Sequence, residues 1–278
     1  MRLVTIRQGG REEAAVVLPN GVAPIREVYG FSGEEADLLH LLESGRFYEL
    51  KEAYDRGEVR GETLPRPSSA PLYRRPRKIW GIGLNYVEHA GDLSETAPAE
   101  EPASFMRPDT TIIGPGEEIQ LPNQSERVTG EAELGLVIGR EARNISEEEA
   151  PSVVAGLTTV LDMTAEDILR KNPRYLTRAK SFDTFFSFGP QLVTLDELGK
   201  MGNLTVATVL NGEVRRKNVV SDMTFSPAFL VSFHSKVMTL LPGDVISTGT
   251  PGAVEIRDGD VLSCHIDRFE PLSNPVRR

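Results

Sequence analysis

Cysteine is nearly missing: Cys264 is the single one in 278 residues, so no internal disulfide framework can exist. Long apolar runs are missing too. None approaches the roughly 20 residues that a membrane-spanning helix needs. The opening Met1-Arg2-Leu3-Val4-Thr5-Ile6-Arg7 lacks the apolar core of a secretory signal. The sequons at Asn123, Asn144 and Asn203 therefore read as chance matches, and a cytoplasmic location is expected. Positive charge is in short supply. Thirty-one Lys+Arg against 41 Asp+Glu leave a net charge of −10, which argues against nucleic-acid or anionic-membrane partners. There is no G-x-S-x-G elbow, and the glycine-rich turn Thr248-Gly249-Thr250-Pro251-Gly252 lacks the Gly-Lys pair of a P-loop. With 39% hydrophobic and 26% charged residues, what remains is an ordinary globular composition.

The chain divides at Leu64-Pro65-Arg66-Pro67-Ser68-Ser69-Ala70-Pro71, a proline-rich stretch of linker character. Residues 1–70 are expected to form a small N-terminal α+β domain and residues 71–278 a larger one. In the small unit, short strands precede a helix opened by a capping box at Ser32-Gly33-Glu34-Glu35, and a second helix spans residues 47–54. The larger unit reads as mostly β with a few helices. Residues 204–210, Asn211-Gly212 and the run from Glu213 predict a hairpin with a type I′ turn. Residues 254–257, Asp258-Gly259 and residues 261–266 repeat the pattern. Ser146-x-x-Glu149 is a second capping box, and Ser226-Pro227 starts a helix reaching about Leu241. Hairpins of this kind favour an antiparallel or mixed sheet over a βαβ array.

Gly130-Glu131-Ala132-Glu133-Leu134-Gly135-Leu136-Val137-Ile138-Gly139 reads as a strand, with apolar residues at 134, 136 and 138 and glycines at the ends. Strand side chains alternate, so Glu131 and Glu133 point the same way and repel each other. A hard divalent cation between them would relieve that repulsion. A third acid, Asp162, ends the strand-like Leu157-Thr158-Thr159-Val160-Leu161 and could complete an oxygen-only site. On spacing alone, a solvated sheet edge is the commoner explanation of Glu131 and Glu133, because E-x-E is a frequent pattern.

Other candidates surround this pair. Trp80-Gly81-Ile82-Gly83-Leu84-Asn85-Tyr86 has two glycines of a dinucleotide fingerprint and lacks the third, so it predicts a tight turn beside a pocket. His89 with Asp92 three residues on can make a base and its orienting acid if the segment is helical. The acid-rich residues 94–101 could form a lid. Lys180, near a carboxylate site, could hold an anion, and Thr248-Gly249-Thr250-Pro251-Gly252 could present hydroxyl and amide groups to a ligand. Cys264 has no activating partner, since His265 on the next position faces the other way. His40, His234 and His265 read as structural.

The ordered set of these pieces resembles the fumarylacetoacetate hydrolase family. It runs from Gly83-Leu84-Asn85-Tyr86 and His89 through Ile113-Gly114-Pro115-Gly116, Glu131-Ala132-Glu133-Leu134, Asp162 and Lys180-Ser181-Phe182-Asp183. Asn211-Gly212-Glu213, Leu241-Pro242-Gly243-Asp244-Val245-Ile246 and Thr248-Gly249-Thr250-Pro251-Gly252 complete it. The resemblance implies a β-roll of mixed sheets, a homodimer, and Mg2+ (or Mn2+ or Ca2+) held by Glu131, Glu133 and Asp162. It further implies His89 with Asp92 as the water-activating base, Lys180 as stabiliser of negative charge, and Arg107 and Thr250 toward a small 2-oxo acid substrate. The implied reaction is metal-dependent hydrolysis of a C–C bond in a 2,4-dioxo acid. Oxaloacetate decarboxylation, hydroxy-dienoate isomerisation and sugar-acid dehydration use the same ligands, and a non-catalytic acid-binding protein is the alternative of another class. Three positions depart from the family pattern: Asp92 stands where Glu is frequent, Arg107 where Lys is usual, and Glu166 where Arg is common.

Overall fold

A computed structural model describes residues 1–28, 37–65, 67–87 and 100–278. The N-terminal strands β1 (Arg2–Gln8), β2 (Arg11–Leu18) and β3 (Gly21–Pro24) make an antiparallel ribbon. The helices Leu38–Glu43 and Arg46–Asp55 follow, then β4 (Ser68–Ser69). The middle supplies β5 (Ile79–Gly83), β6 (Ala103–Met106), β7 (Ile112–Ile113) and β8 (Ile119–Gln120). It continues with β9 (Val128–Ile138), β10 (Val154–Ala165) and β11 (Phe186–Val193). The last part adds β12 (Thr205–Leu210), β13 (Glu213–Val219), β14 (Val245–Ser247), β15 (Ala253–Ile256), β16 (Val261–Ile266) and β17 (Leu272–Arg277).

Two sheets result. The larger runs β3-β2-β1-β11-β10-β9-β14-β5-β6, with β4, β7 and β15 attached to β1, β11 and β9. The smaller runs β13-β12-β16-β17-β8. Parallel pairs (β5 with β14, β7 with β11, β8 with β17) stand among antiparallel ones, so the sheets are mixed, as the hairpin-rich sequence predicts. The even positions of β9, Ala132, Leu134, Leu136 and Ile138, enter one core with Val206, Leu262 and Cys264 of the second sheet. Alternation then turns Glu131 and Glu133 to the opposite face. The first 70 residues join the large sheet through β1, whose Leu3 lies opposite Leu192 of β11. Leu38, Leu41, Phe47 and Leu50 share a core with Phe186, Phe188 and Leu192.

Turn chemistry decided several elements. Asn211 and Gly212 both have positive φ, at 53° and 83°, the type I′ geometry that joins β12 to β13. The second expected hairpin does not form. Asp258-Gly259 makes the turn, yet β15 pairs with β9 while β16 pairs with β12 and β17, so the chain passes from one sheet to the other there. Short turn residues specify a reversal, and the free backbone edges on either side choose the partners. The capping box at Ser146 is made in both directions, Ser146 N–H to Glu149 at 2.8 Å and Glu149 N–H to Ser146 Oγ at 3.3 Å, although Pro151 leaves only the short helix Ala150–Val153. Ser226 caps Pro227–Val237 by accepting from the Phe229 N–H, and that helix ends four residues before the expected Leu241. The box at Ser32 lies outside the described residues; Asp37 caps Leu38–Glu43 instead. Among the described residues no helix is long and apolar enough to cross a membrane.

Candidate metal centre

In the β9–β10 ladder Glu131 lies directly opposite Asp162, and Glu133 opposite Val160. Residues opposite one another in an antiparallel pair project to the same face with Cβ atoms about 5 Å apart. Glu133 is two residues along that face. The three carboxylates therefore converge, each offering an oxygen within 4.8 Å of the others. All are buried, Asp162 fully and Glu131 at 8% exposure, which removes the solvated-edge reading.

Two cations face this cluster. Lys180, the last residue of the helix Leu176–Lys180, donates from Nζ to Glu131 Oε2 and to Asp162 Oδ1, each at 2.8 Å. Arg107, just after β6, donates to the Asp162 carboxylate, to the Lys180 carbonyl and, at 3.0 Å, to the Met163 carbonyl. Glu133 accepts from Ser247 Oγ and from the Gly249 N–H at 2.9 Å. Burial pulls the Lys180 ammonium down, but Asp162 and Glu131 outweigh it and keep the group above its ordinary value, so it stays charged. Burial first, then repulsion from Asp162 and Glu131, pushes Glu133 up to about 8 against the pull of Lys180 and Ser247.

The donor set fits a hard divalent ion. It consists of carboxylate oxygens alone, and Asp162 Oδ2 is buried without a hydrogen-bond partner. Such an atom costs about 1–3 kcal/mol when it is left unpaired. Among the described residues three acids face two bases, one positive charge short of balance, and the upward push on Glu133 is the mark of that shortfall.

Arg107 was expected to reach substrate, and the structure places it behind the site. Its side chain is wholly buried, its guanidinium is committed to Asp162 and two carbonyls, and it lies between the rings of Phe105 and Phe186. Thr250 is buried, and its hydroxyl closes on the Gly252 backbone at 3.2 Å. Cys264 is inert, its thiol pushed up to about 12 by burial. His234 is structural as expected, its ring 4.7 Å from that of Trp80 and Nδ1 bonded to the Leu230 carbonyl. His89, Asp92 and most of residues 94–101 lie outside the described residues.

Three supporting residues escaped the sequence reading. Ser247 holds Glu133, and only its position after an apolar strand hinted at it. Asn85 ties the site loops together: its Nδ2 donates to the carbonyls of Thr248 and Phe225, and its Oδ1 accepts from the Phe225 N–H. Phe105 lies 5.1 Å from Lys180 Nζ, and its ring fills the space above Gly81, where an added Cβ would meet it at 2.2 Å. The glycine first read as a turn residue is room for that ring.

Comparison with known proteins agrees with this geometry. The family model "Fumarylacetoacetate (FAA) hydrolase C-terminal" matches residues 78–277. The mitochondrial oxaloacetate tautomerase of Xenopus laevis is 39% identical over 216 residues, covering 74% of this chain and 67% of that protein. Among solved structures, the fumarylacetoacetate hydrolase of Exiguobacterium antarcticum superposes with a TM-score of 0.85 at 28% identity, over 100% of this chain and 99% of that one. The maleylpyruvate hydrolase of Sphingobium sp. SYK-6, in complex with manganese(II) and pyruvate, does so with a TM-score of 0.81 at 26% identity, over 100% and 99%. The chain belongs to the fumarylacetoacetate hydrolase family.

Proposed function

We propose that this protein is a divalent-ion-dependent enzyme of 2-oxo acids, and that it hydrolyses a C–C bond in a 2,4-dioxo acid. The observation that carries the reading is a buried three-carboxylate cluster with a charged lysine bonded to two of its members. A bound Mg2+ or Mn2+ would supply Lewis acidity and a template for the carboxylate and 2-oxo oxygen of the substrate. Glu131, Glu133 and Asp162 hold the ion, and Arg107 fixes Asp162 and the Lys180 backbone, so both stay oriented. His89, oriented by Asp92, takes a proton from water. The hydroxide adds to the 4-carbonyl, the C3–C4 bond breaks, and its electron pair leaves on C3 as the pyruvate enolate. Lys180, kept as an ammonium by its carboxylate neighbours, stabilises that charge. The enolate is then protonated on C3, and the products are a carboxylate and pyruvate.

A second reading is favoured by the 39%-identical tautomerase: interconversion of the keto and enol forms of oxaloacetate. That reaction moves a proton between C3 and the 2-oxo oxygen and needs no water. A panel of acetylpyruvate, fumarylpyruvate and oxaloacetate, each with Mg2+ or Mn2+ and again with EDTA, separates the two. Ion-dependent release of pyruvate from a dioxo acid supports the hydrolase. Enol–keto exchange of oxaloacetate without cleavage of either dioxo acid replaces it with the tautomerase. A cytoplasmic homodimer completes the proposal, and light scattering on the purified protein tests its mass.

A further inference from the structure

Glu133 is held by one of its two oxygens. Ser247 Oγ and the Gly249 N–H both donate to Oε2, and Oε1 accepts no hydrogen bond among the described residues. The two donors flank Thr248, whose own N–H and Oγ1 both reach the Leu134 carbonyl on β9, at 3.0 and 2.9 Å. The next peptide unit joins the Thr248 carbonyl to the Gly249 N–H. In a trans peptide these two groups point in opposite directions. The N–H points to Glu133, so the carbonyl points away from it, and there it meets Asn85 Nδ2 at 2.8 Å. Gly249 has a φ of 95°, and turning the plane over would carry it to negative φ, which glycine adopts as readily. The backbone alone therefore does not choose the orientation that serves Glu133. Asn85 is fully buried and cannot follow a turning plane, because Nδ2 also donates to the Phe225 carbonyl at 3.0 Å and Oδ1 accepts from the Phe225 N–H at 2.8 Å. It also covers the bare α-carbon: a Cβ on Gly249 would meet Asn85 Cβ at 2.8 Å.

We infer that Asn85 is a positioning residue of the metal centre. By holding the Thr248 carbonyl it keeps the Gly249 N–H on Glu133 Oε2, and this leaves Oε1 without a protein partner and open to the ion. Asn85 touches neither ion nor substrate in this role; it acts through a single peptide unit. The inference rests on the reading of Glu133 as an ion ligand.

Hydrogen exchange resolved to single amides, on ion-free protein kept in EDTA, tests the clamp itself. The Thr248 N–H is the internal control, because its acceptor is the Leu134 carbonyl and not a group that Asn85 holds. Asn85→Ala should speed exchange at Gly249 at least tenfold and leave Thr248 within twofold. Asn85→Asp keeps the volume and the acceptor for the Phe225 N–H and loses the amide donors, so it should show the same split, and it carries the test if the alanine variant does not fold. Equal acceleration at both amides is general loosening and overturns the inference. No acceleration at either shows that the plane holds itself and overturns it too. Calorimetric titration of Mn2+ reads the consequence: either variant should weaken the ion at least tenfold. Undiminished Mn2+ affinity beside a released Gly249 amide removes the positioning role. Failure of the unaltered protein to bind Mn2+ would count against the proposed function, and the exchange rates would still decide the clamp.

Discussion

Ion binding should expel a proton, and the number expelled should follow Glu133. With its carboxyl pushed up to about 8, roughly nine-tenths of the ion-free molecules carry that proton at pH 7. A carboxylate must be ionised to ligate, so each ion bound at pH 7 releases about 0.9 proton, falling to about 0.5 at pH 8 and about 0.1 at pH 9. The competition also weakens the ion: between pH 6 and pH 8 the dissociation constant should fall about fifty-fold, or about 2 kcal/mol. The same group shapes the ion-free protein in the opposite sense. Its folded value lies above the ordinary 4.5, so between 4.5 and about 8 the folded state binds more protons than the unfolded one. Stability of the ion-free protein therefore falls as pH rises through that window. Titration of Mn2+ in buffers of differing ionisation enthalpy measures the released proton directly. Proton release below 0.1 at pH 7, together with an affinity that does not change between pH 6 and pH 8, would refute this account of the charge in the site.

Glu133→Gln should abolish that proton release and weaken the ion at least 100-fold, read in the same titration. Lys180→Met leaves Glu131 and Asp162 buried without their ammonium; the ion-free protein should lose about 3–5 kcal/mol, and saturating Mn2+ should restore most of it in thermal unfolding. An unfolding midpoint unchanged by the substitution would show that the lysine is not their counterion. Gly81→Ala drives a methyl into the Phe105 ring and should cost about 1–3 kcal/mol in urea unfolding, with a lower kcat as the ring shifts against Lys180. His89→Ala should keep wild-type ion affinity and lose turnover; a normal kcat would remove it from the role of base.

The triad was legible because strand alternation is a local rule. Once 130–139 is a strand, Glu131 and Glu133 must share a face, and only the choice of β10 as neighbour had to come from the fold. The hairpin at Asn211-Gly212 was legible for a similar reason, since left-handed φ at two successive positions admits few residues. The reversal at Asp258-Gly259 was equally clear, but its strands went to different sheets, because turn residues do not encode partners hundreds of atoms away. Arg107 is placed toward substrate by the family resemblance alone. Its burial depends on Asp162, Phe105 and Phe186 meeting around it, contacts 2 to 79 positions apart that no local pattern records. Gly81 looked like a turn residue for want of any sign that a ring would occupy its missing side chain.

The family match starts at residue 78, yet the sheet that carries Asp162 does not stop there. β10 leans on β11, and the far side of β11 is covered by β1 along Gln191–Val193. The opening segment is thus a lid on a raw edge: without it, a wholly buried strand would offer its unpaired amides to any chain that could supply a strand of its own. For anyone exchanging parts between members of this family, the practical unit of transfer is not the catalytic portion alone. A replacement front end has to bring one strand in the register of Leu3 against Leu192, whatever else it carries, or the recombinant will seek that strand from its neighbours in solution.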